Sequence, residues 1–204
     1  RVASGKIRRM IEVSPQVIEA LRRRDPVVAL ETTLAAHGFP SGEGIQVALA
    51  AEQRVREAGA VPATVGVLDG AVRVGLSQDQ LERFTAEARK VGPRDLATCV
   101  VQGAVGATTV GGTLATCRAA GVGFMGTGGI GGLARAEALV VCSGAKSFLD
   151  VPATMELLET LGVPVLGYRT DELPLFYAAH GGPPVPARVE SAGEAARVAR
   201  AHWG

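Results

Sequence analysis

Lys146 follows an apolar run, Val140-Val141-Cys142-Ser143-Gly144-Ala145, and is one of three lysines in a chain with eighteen arginines. In such surroundings burial disfavours the ammonium, lowers its pKa and frees an amine that forms Schiff bases with carbonyl substrates. The plainer reading is a lysine snorkelling from a strand end or pairing with Asp150. Glu31 sits inside Val28-Ala29-Leu30-Glu31-Thr32-Thr33-Leu34. A carboxylate in an apolar strand is costly unless paired. It reads either as a general acid/base with a raised pKa or as half of an ion pair with an arginine. Thr32 and Thr33 add polarity at the same strand end and favour the first reading.

Gly126-Thr127-Gly128-Gly129-Ile130-Gly131 matches G-x-G-x-x-G after a strand. The context argues against a dinucleotide site. A full helix should follow the glycines, but only Gly132 to Glu137 separates them from the next strand. No acidic residue closes a second strand at the right place. These glycines instead let backbone N–H groups approach an anion or sugar, with the Thr127 hydroxyl beside them. Thr108-Thr109-Val110 precedes a helix start, which suits phosphate or is an ordinary cap. Lys90 reads as the solvated cation ending an exposed helix. His37 is isolated, and His180 and His202 have no metal-ligand spacing. No Ser-His-Asp or Cys-His arrangement is present in the pattern.

The elements that must carry these residues alternate. Ser14-Pro15 opens a helix running to Arg22–Arg24. Val27 to Thr33 reads as a buried strand. Ser41 or Gly42 begins a helix to Ala58. Pro62–Leu68 and Ala71–Leu76 flank Asp69-Gly70, a hairpin signal. Ser77 caps a helix with Leu81, Phe84 and Ala88 spacing. Further helices are expected over Pro93–Gln102, Thr113–Ala120 and Val151–Leu161. Strands are expected over Val122–Met125, Ala138–Cys142 and Pro164–Gly167. A last helix, Ser191–His202, carries a capping box with Glu194. This pattern predicts an α/β fold: a mainly parallel central sheet covered by helices, with an added β-hairpin. Ligands of such sheets bind at the carboxyl ends of strands. Glu31, Thr127 and Lys146 all fall at such ends.

The 204 residues favour a single domain, and 47% hydrophobic content supplies a core. A net charge of +1 argues against nucleic acid or an anionic membrane as partner. The stretch from Leu96 to Gly132 has Arg118 as its only charge, but eleven glycines interrupt it too often for a lipid span. Cys99, Cys117 and Cys142 form no CxxC pair and read as buried small hydrophobes of a reducing cytoplasm. Arg1–Met10 is basic without an apolar core, so no secretory signal is read there. Lys6 reads as a surface residue.

Six blocks, in order, resemble the pseudouridine-5'-phosphate glycosidases: ALETTLAAHGFP (29–40), VPATVGVLDG (61–70), GATTVGGT (106–113), TGGIGG (127–132), SGAKSFLD (143–150) and LETLGVPVLGYRTDELPLFY (158–177). TGGIGG followed by GAKS is the sharpest. The resemblance runs from about residue 14 to residue 204. It implies reversible cleavage of the C–C bond between uracil C5 and ribose C1' of pseudouridine 5'-phosphate, giving uracil and ribose 5-phosphate. It casts Lys146 as the imine-forming lysine and Glu31 as the proton donor and acceptor. Lys90, in KVGPRDL, aligns with a substrate-binding lysine, and Val110 with a substrate contact made through its backbone. Thr109 and Thr127 are expected to touch phosphate or sugar. The resemblance further implies a homotrimer and manganese, beside the cytoplasmic location read from the cysteines.

The chain departs from that pattern twice. Gly132 is followed directly by Leu133-Ala134-Arg135-Ala136-Glu137, where the family has a segment of the form HRGAE…FDISADL holding the metal-binding Asp. At Ala201-His202-Trp203-Gly204 the family continues into a further lobe. The expectation is one α/β domain over 1–204 that lacks both parts, with no metal ligand to name. It is either a shortened, inactive variant or a sequence from which residues are missing. The abrupt join at Gly132, which leaves the Gly126 loop too short, favours missing residues of a mobile active-site loop. Two other functions fit Lys146: a Schiff-base lyase or aldolase acting on another sugar phosphate, and a non-catalytic homologue that binds sugar phosphate.

Overall fold

The computed structural model describes residues 9–40 and 42–203. Lys6 and Ser41 lie outside the described residues. Strand β1 (Ile11–Val13) leads into α1 (Pro15–Arg23), where Ser14 accepts the Val17 N–H at 3.4 Å and Pro15 takes the first helical position. Strand β2 (Val27–Glu31) ends two residues earlier than expected, because Thr33 opens a short helix, α2 (Thr33–His37). Helix α3 (Glu43–Glu57) follows Gly42. The hairpin forms as predicted: β3 (Val61–Leu68) and β4 (Ala71–Val74) pair antiparallel across Asp69 and Gly70, both at positive φ.

The next segment differs from its pattern. Ser77 and Gln80 form a capping box, but α4 (Gln78–Leu81) lasts one turn. Phe84 and Ala88 are buried from turns rather than from a helix face. The chain then enters a strand, β5 (Arg89–Val91), so Lys90 is a strand residue and not a helix-terminal cation. Helix α5 (Leu96–Val101) leads to β6 (Gly106–Thr108), also unexpected, and to α6 (Val110–Ala120). Three-residue strands like these carry too short an alternation to be read from pattern. After β7 (Phe124–Thr127) a single 3-10 turn, Leu133–Arg135, leads to β8 (Leu139–Cys142). Helix α7 (Val151–Thr160), two short parallel strands β9 (Leu166–Tyr168) and β10 (Ala187–Val189), and α8 (Ala192–Trp203) complete the chain. At the start of α8 Ser191 Oγ accepts the Glu194 N–H at 3.2 Å, as the predicted capping box requires, while the Glu194 carboxylate accepts the N–H of Glu190, at 2.8 Å, one residue before the expected Ser191.

The main sheet runs β1-β4-β3-β2-β7-β8, parallel except at the hairpin. It forks at β3. Strand β2 ends opposite Val65, and β6 takes over the vacated edge, pairing antiparallel with Gly66 and Val67. Strand β5 then pairs parallel with β6. A fork leaves backbone groups without ladder partners, and buried orphans are costly. Threonines supply the partners here. Thr32 Oγ1 donates to the Val65 carbonyl at 2.8 Å and accepts the Thr108 N–H at 2.9 Å. Thr108 Oγ1 donates to the same Val65 oxygen at 2.7 Å, and Thr33 Oγ1 donates to the Thr108 carbonyl at 2.8 Å. Thr32 and Thr108 are fully buried.

Two clusters form most of the core. Val17, Leu96, Leu114 and Cys117 from α1, α5 and α6 pack with β2–β4, while Ala36 and Ala48 from α2 and α3 pack with Leu68 and Phe84. All three cysteines are free, as expected. Cys99 and Cys117 are buried, with burial pushing the Cys117 thiol up to about 12, and Cys142 is half-buried. Phe124 and Val141, on one face of β7–β8, stay exposed. Among the described residues no helix is long and apolar enough to cross a membrane.

Candidate active site

Strands β2, β7 and β8 are parallel neighbours, so their carboxyl ends lie side by side. Glu31 closes the first and Thr127 the second, while Lys146 follows the third by four residues. The predicted convergence is therefore real. Thr127 Oγ1 donates to Glu31 Oε1 at 2.6 Å and itself accepts the Gly129 N–H at 3.2 Å. The first turn of the glycine loop thereby fixes the threonine rotor, which fixes the carboxylate. Burial pushes the Glu31 carboxyl above the usual glutamate range. The Thr127 hydrogen bond and the positive charges of Lys90 and Lys146 pull it partly back. Glu31 is thus bonded to Thr127 and lies in the field of two lysines, rather than of the arginine of the ion-pair reading.

A cavity of about 380 Å³ opens beside it, walled by Glu31, Lys90, Thr109, Val110, Lys146 and Phe176. A second hollow of about 520 Å³ adjoins it, sharing Lys90, Thr109 and Gly132 and adding Arg94 and Asp95. Thr109 is the N-cap of α6, accepting the Gly112 N–H at 3.2 Å, so its side chain serves the helix while facing the cavity. Val110 is the first residue of that helix and buried. Gly132 adopts φ 65°, and a Cβ there would stand 2.7 Å from Gly111 Cα. That close approach lays the glycine loop against the N-terminus of α6. Thr127 does not line the cavity; it reaches the site through Glu31. Thr33, offered as site polarity, lines the cavity while its hydroxyl serves the sheet fork. His37 also stands on the wall.

Lys146 corrects one expectation. The apolar run before it buries Ala145, but Lys146 itself is exposed. Its Nζ lies 5.3 Å from the ring centroid of Phe176 and 5.9 Å from that of Phe148. Asp150, its suggested partner, instead caps α7 through the Ala153 N–H at 3.0 Å. Phe176 was invisible to pattern reading. It lies in an irregular segment, and only the three-dimensional path brings it to Lys146. Among the described residues no group of three or more His, Cys, Asp or Glu side chains could hold a metal ion.

A carboxylate and a lysine converging at strand ends of an α/β sheet, with a second lysine on the same cavity, define a small-molecule site of the amine-and-carboxylate type. The chain belongs to the indigoidine synthase A-like family, whose model matches residues 16–204. It is 49% identical over 208 residues to a protein named pseudouridine-5'-phosphate glycosidase from Streptomyces griseus, covering 93% of this chain and 64% of that relative. A protein of the same name from Herpetosiphon aurantiacus is 44% identical, covering 93% of this chain and 69% of its own length. This chain thus spans less than two thirds of the S. griseus relative. The matched stretch of 208 residues also exceeds the 204 present here, so that relative has residues within it that find no counterpart. Among solved structures, the prealnumycin C-glycosynthase AlnA in complex with ribulose 5-phosphate superposes with a TM-score of 0.84 at 41% identity, covering 95% of this chain and 69% of AlnA. An indigoidine synthase A-like protein from Thermotoga maritima gives 0.85 at 36% identity, covering 94% and 68%.

Proposed function

We propose that this chain carries the reversible cleavage of pseudouridine 5'-phosphate to uracil and ribose 5-phosphate through an imine on Lys146. The observation that carries the reading is the meeting of Lys146, Glu31 and Lys90 on one cavity, Glu31 and Lys146 from neighbouring parallel strand ends and Lys90 from β5. The relatives' names give the reaction, and AlnA's ribulose 5-phosphate gives the substrate class, a sugar phosphate.

The reaction must break a carbon–carbon bond, so protonating a leaving oxygen, the usual task of paired glycosidase carboxylates, is not enough. The ring opens first: uracil N1 loses a proton, the C1'–O4' bond breaks, O4' takes up a proton and a C1'=C5 double bond is left. The Lys146 amine then adds to C1' across that double bond, and a proton returns to uracil N1. As the C1'–C5 bond breaks, its electron pair stays with uracil C5, which takes up a proton, and the nitrogen lone pair forms the C1'=N bond. Water then adds to C1', releasing ribose 5-phosphate and the free amine. Glu31 moves the protons: a carboxyl raised by burial holds one nearer neutral pH, and Thr127 keeps it oriented. Lys90 and the N-terminus of α6 at Thr109-Val110 suit the phosphate. Manganese, implied by the family resemblance, finds no three-ligand cluster among the described residues, and no step is routed through it. A homotrimer and a cytoplasmic location belong to the same proposal.

The test is uracil release from pseudouridine 5'-phosphate by the wild type, Lys146→Ala and Glu31→Ala, with borohydride trapping of ribose 5-phosphate. Trapping is expected at Lys146 and to vanish in Lys146→Ala. Full activity in Lys146→Ala sinks the imine. A wild type that binds ribose 5-phosphate but releases no uracil is instead a sugar-phosphate-binding homologue.

A further inference from the structure

Residues 173–177 form a strap tied to the loop that bears Lys146. The Phe176 N–H donates to the Ser143 carbonyl at 2.9 Å, and the Ala145 N–H donates to the Pro174 carbonyl at 3.2 Å. Gly144 bridges Leu175. A Cβ at Gly144 would stand 1.8 Å from the Pro174 oxygen, and its φ is +79°, so this contact requires glycine. Phe176 itself has φ 68°, a left-handed conformation that costs a bulky residue free energy and persists only where surroundings impose it. Its ring wedges between the glycine loop and the amine. A Cβ on Gly128 would stand 3.0 Å from ring carbons, and Lys146 Nζ lies 5.3 Å from the ring centroid. Phe148, largely exposed, offers a second ring at 5.9 Å.

We propose that Phe176 is a positioning residue for Lys146: with Phe148 it holds the lysine nitrogen within reach of two aromatic rings and favours the cationic protonated imine. The proposal rests on the imine reading above. Uncharged rings attract a cation through their quadrupole without offering a competing base. A carboxylate in that place would form an ion pair and draw the amine out of the cavity. The nitrogen of the amine adduct is neutral and becomes cationic as its lone pair forms the C1'=N bond and expels the C–C electron pair onto uracil, so the rings stabilise the charge that the reaction develops and contribute to kcat more than to KM.

The experiment measures uracil release and borohydride trapping of ribose 5-phosphate in the wild type, Phe176→Leu, Phe176→Tyr and Phe148→Leu. Phe176→Leu is expected to lose about 3- to 30-fold in kcat and in trapping rate, with KM little changed. Phe176→Tyr, which keeps the ring, should retain most of both. Phe148→Leu, at a site too exposed to threaten folding, should lose less, in the same direction. Wild-type trapping with Phe176→Leu and Phe148→Leu both unchanged overturns the proposal while leaving the imine intact. Equal losses in Phe176→Leu and Phe176→Tyr also overturn it, since the ring is then irrelevant. No trapping in the wild type removes the imine, and the proposal with it.

Discussion

In the proposed reaction Glu31 and Lys146 divide the chemistry by environment. The carboxyl is half-buried and bonded to Thr127; the amine is exposed and flanked by rings. Replacing Glu31 by Gln keeps the shape and removes the proton, so uracil release should fall about 10²- to 10⁴-fold. The same variant reads the cost of burying the charge. A carboxyl whose folded pKa is raised binds more protons in the native state than in the unfolded one, over the interval from the ordinary glutamate range up to its raised value. Stability therefore declines as pH rises through that interval, and the penalty is complete above it. Glu31→Gln should gain in Tm relative to wild type as pH rises through that interval, and match it below. A Tm difference independent of pH would contradict the raised carboxyl. Thr127→Val removes a bond that holds the carboxyl down, so the acid limb of the rate profile should move to higher pH. An unmoved limb would mean that Glu31 does not set it.

The elements hold these residues by a device that is not itself catalytic. Thr32 lies next to Glu31, and its hydroxyl both donates to Val65 and accepts from Thr108 across the fork where β6 replaces β2 beside β3. Thr32→Val should leave the buried Thr108 N–H unpaired and cost about 1–3 kcal/mol, read from urea unfolding. A change under about 0.5 kcal/mol, the scatter of neutral surface changes, would mean that the fork is held otherwise. The longer elements were legible because their signals are local: Ser14-Pro15 at α1, Asp69-Gly70 at the hairpin, the apolar runs of β2 and β3. Glu31 and Lys146 were legible because a charge in an apolar run is conspicuous. Strands β5 and β6 were not, for three residues hold no alternation and their pairing with β3 is set across the sheet. Lys90 was misplaced on a helix end for that reason, although it reaches the cavity all the same. Thr32 and Thr33 were conspicuous, but their service to Val65 and Thr108 depends on a fork that no local spacing encodes. Phe176 gave no signal, being placed by hydrogen bonds to Ser143 and a glycine at 144.

At the scale of the molecule, the site lies where the main core meets a small third apolar cluster. Two clusters drawn mostly from β2–β4, β6, α1–α3, α5 and α6 make the main core, whereas Ala145, Val151 and Leu173 form a third, touched by Ile130 and Met155. Lys146 follows Ala145 and Phe176 follows Leu175 beside the third cluster, whereas Glu31 closes a strand of the main sheet. Local opening is least costly where little apolar surface is buried. Amides of β9 and β10 should therefore exchange with solvent well before those of β3, whose residues from Pro62 to Leu68 are all buried. A substrate bound to Lys146 as proposed would also meet the wall at Glu31, Lys90 and Val110, and so tie the third cluster to the main core. Saturating ribose 5-phosphate should slow exchange at the Ala145 and Phe176 amides, which hold strap to loop, by the factor 1 + [L]/Kd, while the β3 amides change less. Equal protection of both sets would show that the molecule opens as one unit and that the site is not a seam. No protection at Phe176 would show that the strap takes no part in binding the sugar phosphate.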